Sequence, residues 1–330
     1  MKNLIVKLTS LSFKFNKYKF ILLFFLITLN SFLELLSVGI FIPFASFIFK
    51  EDDFFGKSFF NDFDESIRLI IFLSIILLIF LLKFIFFVYV IYFKNKYLLK
   101  FNLKLSDIVL KNLINKPLKF HLENQSSSNI NIVQQVDGII DNISVLIFIF
   151  LDFFTLIFLC IFLLIYEPYA TSAIFFILFS FSYIYYIFSK KKMFVLGQIK
   201  FEKTKETIGH LQEIFIGIKE IKIFKLIDKV NQKYQEILKQ FIKAKQYTEL
   251  YILLPKNFFE FLTILFLGIF LAILLTQGHS FTIVLTKIGV FAFASYKLLP
   301  VFNRLITNLQ YLNNRKYGNE KLFSFLFFKT

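Results

Sequence analysis

Five ionisable side chains, Glu34, Lys83, Asp152, Lys256 and Lys297, sit inside long apolar runs of this chain. A charge in such surroundings is costly, so each should pair with another charge, line a polar path or hold a ligand. By counting along the helices, Lys83, Lys256 and Lys297 fall at similar depth. Three ammonium groups at one level have the chemistry to bind a phosphate or pyrophosphate headgroup. The competing readings are plain: lysine stems carry their charge towards a polar boundary, and Lys256 with Glu260 forms an i,i+4 pair that can neutralise itself. Glu34 and Asp152 are expected first to pair with a lysine of another helix, and second to line a polar path. Lys287 reads as a lysine that snorkels to the outer boundary.

The sequence holds little other chemistry. Cys160 is the single cysteine, which excludes an internal disulfide and a cysteine-based metal cluster. His121, His210 and His279 are isolated from one another and read as loop histidines rather than metal ligands.

The elements that must position the charges are six apolar runs, 20 to 49, 69 to 93, 143 to 166, 168 to 189, 257 to 276 and 281 to 303. Each is long enough for a helix to cross a hydrocarbon layer of ~30 Å. With 57% hydrophobic residues, 52 Phe among 330 and a mean hydropathy of +0.70, the apolar surface exceeds what a soluble domain can bury. The expected fold class is an all-α membrane protein with six transmembrane helices. Its domains read as an N-terminal segment 1 to 19, a six-span domain 20 to 313 and the start of a linker 314 to 330. The first run is too long for a signal peptide and is expected to be retained. Pro43 is expected to kink it near its outer end.

Charge sets the expected orientation. Residues 1 to 19 carry five Lys and no acid, and 190 to 249 carry fourteen Lys against seven acids, whereas 51 to 65 carries six acids and only Lys57. Lysine and arginine excess marks the cytoplasmic side, so both termini and the two long connectors are expected inside a multi-pass protein of the cytoplasmic membrane. The net charge of +16 then belongs to a membrane face, with lipid as its partner and no nucleic acid.

Helical periodicity continues beyond the runs. Ile227, Val230, Tyr234, Ile237, Leu238, Phe241 and Ala244 recur at spacings of three and four among polar residues, which predicts an amphipathic helix in water. Residues 69 to about 115 hold neither Pro nor Gly, and a helix of that length reaches ~70 Å. Spans two to five are therefore expected to project into the cytoplasm as two hairpins. The first tip is expected at Pro117 to Ser128, with Pro117 breaking one helix and the serines capping the next. The second is expected between Gly209 and Gly217. Turns at Glu167-Pro168 and at Gln277-Gly278-His279-Ser280 should close the outer ends. Pro117, Phe120, His121, Leu211, Glu213, Phe215, Ile216 and Gly217 are the candidate docking residues, with Phe120, Phe215 and Ile216 expected to enter a groove on a soluble partner.

This arrangement resembles the transmembrane domain of an ABC exporter of the type 1 (type IV) fold, over about residues 15 to 325. Pro117 through Phe120 to the serine cluster is similar to that family's first coupling helix. Gly217-Ile218-Lys219-Glu220-Ile221-Lys222-Ile223-Phe224 is similar to its stretch after the second. Glu34-Leu35-Leu36-Ser37-Val38-Gly39-Ile40-Phe41-Ile42-Pro43-Phe44 looks most like the subgroup that flips lipid-linked oligosaccharides. The resemblance implies a homodimer that exports an amphipathic substrate by alternating access, powered by nucleotide-binding domains that hold ATP and Mg. The alternatives are an exporter of peptide or hydrophobic small molecules, an ATP-independent membrane protein, or a non-functional remnant. The chain has no Walker A loop, G-x-x-x-x-G-K-[ST], and no Gly-Lys-Ser or Gly-Lys-Thr. It is not expected to hydrolyse ATP by itself. The nucleotide-binding domain is expected either fused, after a linker near Glu320 to Phe325 in a truncated or disrupted form, or as a separate polypeptide.

Overall fold

The computed structural model describes residues 2 to 40, 65 to 277 and 281 to 327. The acidic segment up to residue 64, Pro43, Gly278, His279 and Ser280 lie outside the described residues. Every element among the described residues is a helix: α1 (Lys2–Phe15), α2 (Lys17–Gly39), α3 (Glu65–Ile114), α4 (Leu118–Glu123), α5 (Ser126–Tyr166), α6 (Pro168–Ile216), α7 (Ile218–Ile223), α8 (Ile227–Thr276), α9 (Phe281–Asn314) and α10 (Lys316–Phe327). The all-α reading holds. Five helices, α2, α3 from Leu69 on, α5, α6 and α8, are long and apolar enough to cross a membrane. The sixth expected span falls in α9, which is not among those five.

The extensions beyond a bilayer are large. Helices α3 and α8 have 50 residues each, α6 has 49 and α5 has 41. At 1.5 Å per residue the longest reach ~75 Å, so ~45 Å of helix lies beyond a ~30 Å hydrocarbon layer.

Local chemistry sets the ends. Asn16 interrupts α1 and α2, and its side chain accepts from the Lys19 backbone N–H at 3.1 Å as an N-cap. Pro168 occupies the first turn of α6, where no N–H is required, and Glu167 alone separates α5 from α6. The Thr171 hydroxyl donates back to Leu163 O at 2.9 Å, closing that hairpin. Pro117 is the N-cap residue of α4, as expected of a helix break there. The serines do not cap α5: Gln125 holds the cap position without a side-chain bond, and Ser126 to Ser128 form the first turn. Pro255 lies buried inside α8 without ending it.

Packing divides each long helix in two. Along the N-terminal half of α3 almost nothing is buried; Ile70, Leu77, Leu81 and Phe84 are exposed. Further on, Tyr97, Phe101, Leu105, Val109 and Leu113 recur every four residues as a buried stripe. That stripe joins Val136, Ile139, Ile140 and Ile143 of α5 in one apolar cluster, which also takes Leu8 of α1 and Leu322 and Phe323 of α10. Each such side chain contributes roughly 1.5–3 kcal/mol of burial. The projecting parts of α3 and α5 are therefore a packed core in their own right. A second cluster joins α5, α6, α8 and α9 through Leu159, Leu178, Phe259, Phe266 and Phe291. The predicted stripe of α8 has its residues from Val230 to Ala244 on the less exposed face, with Ile227 at its start exposed. The C-terminal segment read as a linker forms α10 and packs on α5 and α6.

Candidate functional site

Intramembrane charges first. Glu34 of α2 meets two lysines: Oε2 pairs with Lys83 of α3, and Oε1 lies 3.4 Å from Lys297 of α9. All three side chains are mostly buried, 16 to 19% exposed. Phe80 lies under both cations, 5.6 Å from Lys83 and 5.2 Å from Lys297, and Phe293 and Tyr296 flank Lys297 at 5.9 Å. Aromatic faces favour the ammonium groups where water is scarce. With all three groups ionised, one acid and two lysines leave the cluster formally positive by one charge.

The other two expected members lie elsewhere. Lys256 does not join Lys83 and Lys297; its side chain is 60% exposed and its ion pair is with Glu260 on its own helix at 4.0 Å. Asp152 pairs with an arginine, not with a lysine. The buried Asp152 Oδ1 accepts from Arg304 Nε at 3.0 Å and Nη2 at 2.7 Å, tying α5 to α9. Arg304 was missed because it lies one residue past the expected end of the sixth span, although it is one of only three arginines in the chain. Beside Asp152, Thr155 donates to Ser31 at 3.2 Å and Ser31 to Leu151 O at 3.2 Å, so α2 and α5 touch through hydroxyls. Lys287 reaches Glu167 at 2.5 Å, at the turn between α5 and α6.

The two projecting tips form next. In the first, Leu118 and Leu122 of α4 are exposed, whereas Phe120 turns inward against the α3–α5 cluster. The expectation that Phe120 faces outward is therefore corrected: α4 is one and a half turns long, and the i,i+4 pair Leu118 and Leu122 lies on the opposite face. His121 is exposed.

The second tip also needs correction. No turn occurs between Gly209 and Gly217, because α6 runs unbroken to Ile216. Gly209 is small because the Ser127 side chain of α5 passes close by; a Cβ there would lie 3.2 Å from its Oγ. The reversal spans 217 to 226: Gly217 ends α6, α7 follows, and Lys225 adopts φ 54 before α8 begins. That left-handed residue lets the Leu226 N–H reach back to Ile221 O at 3.0 Å. Phe215, Ile216, Ile223 and Phe224 are all exposed around this short helix. Leu211 and Glu213 belong to the shaft behind it; Glu213 lies 3.9 Å from Lys233 of α8. His210, buried, places Nε2 3.1 Å from Val230 O and ties α6 to α8. Contact between Gly209 and Ser127 puts both tips at the same end of the molecule.

A junction behind the tips makes the shafts one body. Asn314, the last residue of α9, donates to Met193 O at 3.1 Å and to Thr248 at 3.4 Å, joining α6, α8 and α9. Gly197 lets α6 lie directly against the Asn314 backbone. Lys200, half-buried nearby and faced by Arg315 and Lys245, is held below its usual pKa, mainly by burial. Tyr317 of α10 donates to Glu202 of α6 at 2.6 Å, and that bond with the carboxylate raises the phenol to about 12.

Apolar membrane-length helices, internally paired charges and paired helical shafts that end in short exposed helices define a polytopic transport domain. The chain belongs to the ABC transporter transmembrane region family, whose model matches residues 20–296. It is thus a multi-pass membrane protein and the permease part of an ABC transporter. Domains of this family generally pair with nucleotide-binding domains and dimerise. No curated protein matches the chain.

Proposed function

We propose that this chain is the membrane half of an ATP-driven exporter that moves a lipid-linked oligosaccharide, or a related amphipathic anion, out of the cytoplasmic leaflet. The six apolar runs are read as six crossings, and the lysine excess supports both termini and the α4 and α7 tips lying in the cytoplasm. Two copies assemble with two nucleotide-binding domains, which bind ATP and Mg. Closure of those domains pulls on the tips, and the packed shafts transmit the movement to the Glu34 cluster.

The observation that carries the substrate reading is the net positive cluster of Glu34, Lys83 and Lys297, mostly buried where α2, α3 and α9 meet. Glu34 holds both lysine side chains in place, and the formal excess of one positive charge suits a phosphate. The test is reconstitution with nucleotide-binding domains in proteoliposomes that carry a fluorescent polyprenyl-diphosphate oligosaccharide. ATP should move the label from the leaflet that faces the nucleotide-binding domains to the opposite leaflet at a rate well above the no-ATP control. ATP-driven movement of a hydrophobic dye or peptide alone would shift the assignment to those substrates. No ATP-driven movement of either would remove the exporter reading.

A further inference from the structure

Where α1 gives way to α2, a groove of about 330 Å³ opens against α3. Three lysines line it, Lys19 on α2 and Lys96 and Lys100 on α3, together with Phe15, Tyr92 and Tyr97. No carboxylate is among its lining residues. The nearest acid further along α3, Asp107, is held by Lys111 at 2.8 Å. Tyr97 fixes the back wall: its ring packs at 5.9 Å from Phe15, and its hydroxyl donates to Ser12 O at 2.7 Å. Two of the surrounding cations already lie over aromatic faces, Lys96 over Tyr92 at 5.7 Å and Lys104 over Phe15 at 5.3 Å.

The position of the groove narrows its occupant. Lys19 immediately precedes the first apolar run and Lys96 follows the end of the second, so both helices meet the same membrane boundary here. Beyond the groove towards the N-terminus of α3, Val88, Ile85 and Leu81 are each about half exposed, at 49, 56 and 57%. We infer that this groove holds the headgroup of one anionic phospholipid, with its phosphate among Lys19, Lys96 and Lys100 and its acyl chains along that exposed face of α3. Tyrosines and lysines at the boundary match an interfacial headgroup. The bound lipid clamps α1 to α2 and α3 at the root of the first shaft.

The site rests on the groove lying at the membrane boundary, not on ATP coupling, so it stands or falls separately from transport. The experiment is native mass spectrometry of the purified full chain titrated with phosphatidylglycerol or phosphatidylcholine. Wild type should retain one phosphatidylglycerol at least threefold more strongly than phosphatidylcholine. The K96Q/K100Q double variant should lose that preference, while K190Q/K191Q on α6 keeps it; all four lysines are exposed, and melting curves check folding. Equal retention by K96Q/K100Q, or equal loss in K190Q/K191Q, overturns the site. Displacement of the lipid by millimolar inorganic phosphate overturns it in favour of a free-anion site.

Discussion

Arg304 directs two nitrogens at one oxygen of Asp152, although the carboxylate is fully buried and the arginine side chain is 51% exposed. The acid is thus the costly partner. Arg304→Met should destabilise the domain by about 3–5 kcal/mol, because it leaves a buried charge without a cation. Combining Asp152→Asn with Arg304→Gln should recover most of that loss. Thermal unfolding in detergent reads both; equal melting of the single and double variants would show that the pair is not a structural tie.

The Glu34 cluster should separate binding from stability. Replacing Lys83 and Lys297 by Gln strands the acid, so the informative variant adds Glu34→Gln. The triple variant should melt near wild type and retain basal ATPase activity in the assembled transporter. Its stimulation by a polyprenyl-diphosphate lipid should fall at least about tenfold, as expected from losing charge-assisted contacts of ~1.5–3 kcal/mol each. Undiminished stimulation would assign the lysines to structure alone.

Two glycines should behave in opposite ways. At Gly197 a Cβ would press on the Asn314 backbone, with its carbonyl carbon only 2.6 Å away, whereas at Gly268 nothing lies within 4 Å. Gly197→Ala should therefore cost at least the upper end of ~1–3 kcal/mol and loosen the junction of α6, α8 and α9. Gly268→Ala should leave the melting temperature almost unchanged. Similar melting of the two variants would contradict the close approach.

The bond from Tyr317 to Glu202 makes an alkaline signature. The folded phenol titrates near 12 against an ordinary value of 10, so its stabilising effect is complete below pH 10 and is lost as pH rises towards 12. Tyr317→Phe should lower stability at pH 8 and flatten the decline between pH 10 and 12. An identical decline in both proteins would remove Tyr317 as its source.

The length of α3 was legible because uninterrupted periodicity and an absence of Pro and Gly from residue 69 to about 115 leave a helix no place to stop. The second tip was misplaced because a glycine that admits a neighbour, such as Gly209 against Ser127, looks in sequence like a glycine that makes a turn. Of these two, Gly217 makes the turn. Phe120 and the pair Leu118 and Leu122 occupy opposite faces of a six-residue helix, too short for its pattern to say which side meets the core. Glu34 was readable as a charge needing a partner. The choice of Arg304 for Asp152 was not, because helix register across 152 positions depends on every intervening packing contact.

On this reading the second tip, formed by the end of α6 at Ile216 and by α7, meets the nucleotide engine of the transporter. A photo-cross-linking residue at Ile216, 85% exposed, reports that contact directly when the assembled transporter is irradiated in its native membrane. The account predicts an adduct with a nucleotide-binding domain whose yield changes between ATP-bound and nucleotide-free states, and none from a probe at buried Met193. A folded, assembled transporter that gives no such adduct from Ile216 would contradict it.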